Sequence, residues 1–288
     1  MAKKMRLDRL MLERGFSKDE KTVRAWIMEG RVLVGDVRED KPGTLVAADA
    51  PIRLRGVDIP YAGRGGLKLA AAIDRFQVDV LGRVAIDVGA STGGFTDCLL
   101  SRGASRVYAV DVGFGQLVGR LRQDPRVVNM ERTNIGDVTP DVLVPRPDLG
   151  VIDLSYLSLS IAVPTVAGLL APAQLDGPGS EIVALVKPLF EVKAKGPDLE
   201  ETDYRAAVRQ AAEAGRGSGY SLAGVMASPV LGSGGTLEFF VHLGTRQGIT
   251  DPDREIDRAI QEGLTILARG MQRDAQEDGR TGDERSGV

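Results

Sequence analysis

The sequence predicts an α/β protein in which a small α+β module precedes a larger domain built on a mostly parallel sheet. With 288 residues the chain is long enough for both. From about residue 64 onward, short apolar runs typical of buried strands alternate with helical patterns, and a glycine-rich turn follows the first run. In the first 55 residues, two short helical patterns come before a small sheet.

The composition is typical of a globular protein in a reducing compartment. Hydrophobic residues make up 43% of the chain and charged residues 27%. No apolar run is long enough to cross a membrane, and the basic N-terminus lacks the apolar core of a signal peptide. Cys98 and His242 are single, which excludes an internal disulfide and argues against a metal site. We therefore expect a cytoplasmic protein without a metal and without membrane attachment.

The charge is unevenly distributed along the chain. The net charge is −3, yet residues 1–68 carry 15 Lys and Arg against 10 Asp and Glu, which leaves the remainder at about −8. A basic N-terminal module can contact phosphate groups. The same distribution of charge is also expected of an ordinary solvated surface. It is therefore consistent with a nucleic-acid partner but does not establish one.

The N-terminal module begins with two helical patterns. Residues 6–15 place apolar side chains at helical spacing. Ser17 is a candidate N-cap for a second helix, with Glu20 three residues later completing a capping box. Strand-like segments follow at residues 31–34 and 51–55.

Breaks in these patterns divide the chain into four parts. Proline and glycines interrupt both periodicities around residues 58–63, which we interpret as a linker. The segment 271–288 is polar without apolar periodicity and is expected to be disordered. The N-terminal module therefore spans 1–57 and the larger domain 64–270.

The larger domain contains seven strand-like runs. Five are followed by helical or loop segments, and they cover residues 82–89, 106–111, 126–130, 148–153 and 181–187. The last two, at 221–228 and 236–242, suggest a closing hairpin. In open α/β sheets, ligands bind at the carboxyl ends of the strands, so the residues that follow these runs are candidates for a site.

The glycine-rich turn predicts a nucleotide-type pocket. It runs from Asp87 to Asp97, between an apolar strand and a helix whose first N–H groups can bind the polar end of a ligand. Asp111 ends the next strand, where a carboxylate can accept both ribose hydroxyls of an adenosine. This pattern alone fits NAD as well as a methyl donor.

Lysine and acidic residues at later strand ends favour a methyltransferase over a dehydrogenase. Asp153 begins the stretch Asp153-Leu-Ser-Tyr156, Lys187 follows a buried strand, and Glu238 lies at the final one. Such a set can hold a sulfonium cofactor and make a sugar hydroxyl nucleophilic. Taken one by one, the same residues would be ordinary surface ion pairs.

Four stretches of the N-terminal module form a recognisable set: Arg6-Leu-Asp-x-x-Leu, Ser17-Lys18, Ala25-Trp-Ile-x-x-Gly30-Arg-Val-Leu-Val-Gly35 and Lys41-Pro-Gly43. With them the module resembles the small RNA-binding domain first named for ribosomal protein S-four. In that family the two helices present basic side chains to folded RNA. The resemblance implies that RNA contacts here come from Arg6, Lys18, Arg24 and Lys41.

Over residues 1–250 the chain resembles the TlyA family of bacterial rRNA 2′-O-methyltransferases, some of which are labelled hemolysins. The larger domain resembles the FtsJ-type 2′-O-methyltransferases. The motifs that carry these resemblances are Gly63-Arg-Gly-Gly-Leu-Lys68, Asp87 to Asp97, Asp111-Val-Gly113, Asp153-Leu-Ser155, Leu185-Val-Lys-Pro-Leu-Phe-Glu191 and Gly235-Thr-Leu-Glu238. The implied fold is a Rossmann-like, S-adenosylmethionine-dependent methyltransferase domain after an α+β RNA-binding domain.

The resemblance implies a catalytic tetrad of Lys68, Asp153, Lys187 and Glu238. Lys187 is assigned to the ribose 2′-hydroxyl, as a general base or as a cation that lowers the pKa of that hydroxyl. Asp153 would orient Lys187, and Glu238 would hold a lysine in place. Lys68 would bind the target phosphate or support the tetrad.

Cofactor contacts are assigned to the glycine turn and the ends of the following strands. Asn134 and Ile135 are placed to meet an adenine ring, whereas Phe95 either touches the cofactor or simply packs. The full set is Asp87, Gly89, Ser91, Gly93, Gly94, Phe95, Thr96, Asp111, Asn134 and Ile135.

The expected activity is methylation of cytidine riboses in 16S and/or 23S rRNA, within ribosomal subunits or ribosomes. A non-catalytic RNA-binding assembly factor, a membrane-lysing protein and a NAD-dependent dehydrogenase are the alternatives. The target nucleotide and the oligomeric state stay open.

Overall fold

The computed structural model describes residues 4–14, 16–17, 19–28, 30–35, 37–54, 60–172, 179–194, 196, 198–232, 235–246 and 248–283. Within these residues the chain forms an N-terminal α+β unit and, from residue 60 onward, a larger α/β unit. No helix in the described part of the chain is both long and apolar enough to cross a membrane.

The N-terminal unit packs two helices on short antiparallel strands. Its elements are β1 (Lys4–Arg6), α1 (Leu7–Glu13), α2 (Glu20–Met28), β2 (Val32–Val34), β3 (Val37–Glu39), β4 (Leu45–Ala47) and β5 (Ile52–Leu54). Strand β1 pairs with β4, and β2 lies between β3 and β5. The unit has a hydrophobic core of its own, formed by Leu7, Leu10, Met11, Val23, Ile27, Val32, Val46 and Ile52.

The cap of helix α2 differs from the one the sequence predicts. Thr22 donates from both its backbone N–H and its hydroxyl to Asp19 Oδ2, at 2.9 and 2.7 Å. The Ser17 hydroxyl instead accepts from Asp19 N at 3.0 Å. Aspartate and serine are comparable N-caps, and Asp19 is the one that lies directly before the first helical residue, Glu20.

The larger unit contains the predicted seven-stranded sheet. Its strands are β6 (Val84–Val88), β7 (Arg106–Asp111), β8 (Val127–Glu131), β9 (Leu149–Ile152), β10 (Glu181–Val186), β11 (Ser221–Ala227) and β12 (Phe239–Gly244). Their order is β11-β12-β10-β9-β6-β7-β8. Strands β6 to β10 pair in parallel, and β12 runs antiparallel to both β10 and β11. The closing hairpin predicted from the sequence is therefore confirmed.

Helices cover both faces of this sheet. They are α3 (Arg64–Phe76), α4 (Gly94–Ser101), α5 (Gly119–Arg122), α6 (Leu159–Leu169), α7 (Pro188–Glu191), α8 (Glu201–Gly217) and α9 (Pro252–Asp283). In β10, Ile182 and Ala184 belong to the cluster with α6, α8 and α9, whereas Val183 and Leu185 belong to the cluster with α3, α4 and α5. Successive side chains of a strand point to opposite faces, so a sheet covered on both sides needs continuously apolar strands.

Helix α9 continues into the segment for which the sequence predicts disorder. The helix ends at Asp283, whereas the expected ordered chain ends at residue 270. Extending an existing helix costs much less than starting one, so a polar segment without proline can continue a helix that apolar residues hold in place upstream. Ile256, Ala259 and Ile260 are the buried residues that hold it.

A buried charge network fixes the amino ends of the parallel strands. The Arg83 guanidinium is 4% exposed, pairs with Glu181 and donates to Asp148 Oδ1 at 3.0 Å. His242 Nε2 lies 3.0 Å from Glu181 Oε1. Asp148 and Glu181 stand at the starts of β9 and β10, so the network sets the register of the two strands whose other ends carry Asp153 and Lys187.

Candidate active site

Four polar residues predicted from the sequence meet at the carboxyl edge of the sheet. Asp153 follows β9 and Lys187 follows β10. Glu238 precedes β12, and since β12 is antiparallel, its first residue lies at this same edge. Lys68 comes from the second turn of α3. Strand direction therefore brings Asp153, Lys187 and Glu238 to one edge, and helix α3 adds Lys68, which lies 170 positions from Glu238 in the sequence.

The first pair of the site joins Lys187 to the loop after β9. Lys187 Nζ lies 2.6 Å from Asp153 Oδ1 and donates to Ser155 Oγ at 2.7 Å. Both partners of the ion pair are about one-fifth exposed. The ammonium group thus lies against a carboxylate oxygen and a hydroxyl oxygen of that loop, and of the two it is the Ser155 hydroxyl that is hydrogen-bonded.

The second pair is more deeply buried. Lys68 Nζ donates to Glu238 Oε2 at 2.5 Å, and both side chains are about one-tenth exposed. Burial raises the pKa of Glu238 above its usual value, and the Lys68 ammonium opposes that rise. The charges of Asp153 and Lys187 also act on Glu238, so the two ion pairs form one electrostatic cluster.

The glycine-rich turn after β6 lies against the same cluster. Gly89 has φ +92°, and a Cβ there would lie 2.2 Å from the Asp153 carbonyl oxygen. Gly93, at φ +96°, has no room for a Cβ beside Leu121. Asp111 accepts from Ser91 N at 2.8 Å and from Gly113 N at 2.7 Å, which fixes the far side of the turn. Glycine is therefore required at both positions for the turn to pack against the loop after β9 and against α5.

Asp87 is a buried carboxylate at the base of the turn. Thr96 Oγ1 donates to its Oδ2 at 2.6 Å, but no hydrogen-bond donor in the described part of the chain reaches its Oδ1. Burial raises the pKa of Asp87 to about 7, against an ordinary value of 3.8. A buried acceptor left without a partner is costly.

We expect Asp87 to make the free energy of unfolding depend on pH. Because its folded-state pKa is raised, its stabilising contribution is complete below about pH 4 and is lost as the pH rises through about 7. Stability of the wild type should fall over this window relative to Asp87→Asn, by at most about 1.4 kcal/mol per pH unit. Urea unfolding at several pH values measures the difference, with the exposed Asp79→Asn as control. Parallel curves for wild type and Asp87→Asn would contradict the expectation.

Three of the residues predicted to contact the cofactor make contacts within the protein. Phe95 is 3% exposed and packs towards Phe240, with ring centroids 6.2 Å apart, and Ile135 is fully buried. The side-chain oxygen of Asn134 accepts from Gly136 N at 3.0 Å. Apolar side chains beside a sheet are drawn into its core, and the side chains of Phe95 and Ile135 lie there.

The predicted RNA contacts are partly engaged within the N-terminal unit. Arg6 donates to both carboxylate oxygens of Asp8, at 3.0 and 2.6 Å, and Arg24 lies 3.5 Å from the same group. The Arg6 hydrogen bonds lower the pKa of Asp8, which is 1% exposed. Both arginines remain almost half exposed, and Lys41 is exposed. Lys18 lies outside the described residues.

Two buried carboxylates at the site have no role in the sequence interpretation. Asp97, on α4, pairs with Arg120 and accepts from Ala62 N at 2.7 Å, which ties the start of the α3 segment to the glycine turn. Glu191, on α7, accepts hydrogen bonds from the start of α6. Asp97 lies at the end of the motif Asp87 to Asp97, and Glu191 at the end of the motif Leu185 to Glu191. An acidic residue at the end of each motif was the sequence signal that could have identified them.

Exposed aromatic side chains lie near Asp111. Phe114 is 61% exposed, and the Arg132 guanidinium carbon stands 3.7 Å from its ring centroid. Tyr156 is 45% exposed. Burial raises the pKa of the Tyr156 phenol, and the negative charge of Asp111 adds to that rise.

Comparison with known proteins identifies two family matches. The family described as FtsJ-like methyltransferase matches residues 61–245, and the S4 domain matches residues 5–52. YqxC of Bacillus subtilis, which carries the name of an rRNA methyltransferase, is 40% identical over 276 residues, covering 92% of this chain and 96% of YqxC. The Mycobacterium tuberculosis 16S/23S rRNA (cytidine-2′-O)-methyltransferase TlyA is 38% identical over 281 residues, covering 91% of this chain and all of TlyA.

A solved structure is similar over almost the whole chain. It is that of a hemolysin-like protein from Streptococcus thermophilus, which is 33% identical in sequence. The match has a TM-score of 0.78 and covers 94% of this chain and all of the other. Both the small unit and the larger unit therefore have a solved counterpart within one chain.

Proposed function

Since the chain belongs to the FtsJ-like methyltransferase family and carries an S4 domain, we propose that it methylates the ribose 2′-hydroxyl of cytidine in 16S and/or 23S rRNA. That the chain is a methyltransferase follows from the family match and from relatives that cover nearly its whole length. The proposal that the 2′-hydroxyl is the methylated group rests on the two lysine–carboxylate contacts at the carboxyl edge of the sheet. The names of the rRNA-modifying relatives support the choice of substrate.

S-adenosylmethionine is the cofactor that fits the residues of the turn. The Asp111 carboxylate lies at the turn and can accept from ribose hydroxyls in addition to the two backbone N–H groups that it already binds. Gly89 and Gly93 allow the turn to pack closely against the Asp153 backbone and Leu121. Bound there, the cofactor would supply a methyl group made electrophilic by its sulfonium.

Lys187 is the residue proposed to act on the 2′-hydroxyl. A ribose hydroxyl is a weak nucleophile near neutral pH, so its proton must be removed or its developing negative charge stabilised. The Asp153 and Ser155 oxygens hold the ammonium group in place. The Lys68–Glu238 pair stands beside it, with Lys68 proposed to bind the target phosphate or to support the cluster.

RNA binding is assigned to the N-terminal unit and to the aromatic residues at the site. Single-stranded nucleotides stack on exposed aromatic rings and arginine planes, which Phe114, Arg132 and Tyr156 offer. The S4 match over residues 5–52 supports an RNA-binding domain at residues 1–57, and the methyltransferase match over 61–245 supports a catalytic domain at 64–270.

The decisive experiment follows tritiated methyl groups into rRNA taken from a strain that lacks the enzyme. Label should enter 16S and/or 23S rRNA, and alkaline hydrolysis should leave a gap at the modified nucleotide, because a methylated 2′-oxygen cannot attack the neighbouring phosphate. Label in a base rather than a ribose would overturn the choice of 2′-hydroxyl. Absence of transfer to any ribosomal particle would favour the non-catalytic assembly factor.

We expect Asp111→Ala to weaken binding of S-adenosylmethionine by about 1–3 kcal/mol, the usual cost of losing charged hydrogen bonds. Asp111→Asn should lose less, because it keeps one oxygen acceptor. Titration calorimetry measures both affinities. Asp79→Ala, just before β6, is the matched control and should bind like the wild type. Unchanged affinity in Asp111→Ala would remove this residue from the ribose site.

A further inference from the structure

Glu191 joins the two loops that carry Lys187 and Asp153. Its carboxylate accepts from Leu159 N at 3.0 and 3.3 Å and from the Ser158 hydroxyl at 2.5 Å. Ser158 and Leu159 begin α6, at the far end of the loop that starts with Asp153. Glu191 is 7% exposed, so these hydrogen bonds are largely shielded from water.

The other end of the same loop is held by Lys187. Its ammonium contacts Asp153 Oδ1 at 2.6 Å and Ser155 Oγ at 2.7 Å. Glu191 is connected back to this lysine through the turn of α7, because Glu191 N donates to Lys187 O at 3.0 Å. The loop after β9 and the loop after β10 are thus linked at both ends, and the links form a closed ring.

Capping of α6 does not by itself require Glu191. The Ser158 side chain already accepts from Ser160 N, as an N-cap residue does. Gln210, on α8, adds a donor to the Ser158 hydroxyl at 3.2 Å. A buried carboxylate contributed by a different helix is a costly way to cap α6, but it fixes the distance between two loops.

We propose that Glu191 is a positioning residue for methyl transfer, which holds Lys187 Nζ against Asp153 and Ser155 by latching α7 to the start of α6. The proposal rests on the proposed function of Lys187. Glu191 touches neither cofactor nor substrate in this scheme and acts through the lysine. Displacement of a reacting group by about 1 Å can cost about 100-fold in rate.

A double-mutant cycle tests the proposal by single-turnover methyl transfer with saturating S-adenosylmethionine and rRNA. Glu191→Ala should lower the rate by about 10- to 100-fold, while the dissociation constants for both ligands stay unchanged. In a Lys187→Ala background, Glu191→Ala should lower the rate no further, since the group it positions is gone. Glu191→Gln, which keeps an oxygen for Leu159 N, should recover most of the rate.

The matched control is Glu200→Ala, because Glu200 caps α8 through a capping box away from the cluster. This control should lose thermal stability but keep the wild-type rate. An equal loss in both lysine backgrounds, or a wild-type rate for Glu191→Ala, would overturn the proposal. If Glu191→Ala does not fold, Glu191→Leu takes its place, and a wild-type single-turnover rate for Glu191→Leu would overturn the proposal as well. If instead Lys187→Ala itself transfers methyl at the normal rate, the proposed function of Lys187 is what fails.

Discussion

Lys187→Ala is expected to slow methyl transfer to rRNA by about 100-fold or more, the usual cost of losing a general base. Binding of S-adenosylmethionine and of rRNA should change little, because the proposed action of Lys187 on the hydroxyl develops in the transition state. The lysine is held by Asp153 and Ser155 rather than by the turn that receives the cofactor. Single-turnover rates together with the two dissociation constants separate the chemical step from binding.

Arginine at this position distinguishes the two roles left open for the lysine. A guanidinium can keep the ion pair with Asp153 but stays protonated, so Lys187→Arg should remain slow if a base is required. Recovery of the rate by arginine would show that a fixed positive charge is enough. Lys193→Ala, which removes a positive charge from the segment after α7, is the control and should react like the wild type at saturating rRNA. A wild-type rate for Lys187→Ala would show that the four residues form ordinary ion pairs without a role in catalysis.

The sheet and the meeting of Asp153 with Lys187 follow from local sequence signals, whereas the tetrad as a whole is implied by the family resemblance. Continuous apolar runs such as 181–186 predict strands buried on both faces, and parallel strands place their following residues at one edge. That argument needs no knowledge of side-chain packing. It therefore identifies Asp153 and Lys187 together, although 34 positions separate them in the sequence.

Contacts that depend on packing between helices cannot be predicted from local sequence patterns. The link from Glu191 to Ser158 and that from Asp97 to Ala62 depend on how α7 meets α6 and how α4 meets the segment before α3. Phe95 shows a second consequence: it lies within the glycine-rich motif, yet its side chain is buried in the hydrophobic core. Local periodicity states which face is apolar but not which partner element covers it.

Removal of residues 1–57 is expected to abolish methylation of ribosomal particles while leaving binding of S-adenosylmethionine intact. The N-terminal unit has its own hydrophobic core, and the core clusters of the larger unit include none of its residues. The catalytic unit should consequently fold without it. Calorimetry with the cofactor and tritiated methyl transfer to subunits measure the two properties on the same protein. Full activity of the truncated protein on subunits would show that the S4 domain is not the docking element.

Point changes can show whether the loss comes from phosphate contacts. Lys41→Ala is the cleaner probe, because Arg6 is paired with the buried Asp8 and its removal leaves that carboxylate less well compensated. Losing one phosphate contact should weaken rRNA binding similarly for all sequences and reduce the slope of log affinity against log salt by about 1. Arg6→Ala should lower stability as well as affinity, so thermal unfolding separates the two variants. If Lys41→Ala binds rRNA with an unchanged salt slope, Lys41 makes no phosphate contact, and the S4 domain must dock through other basic residues.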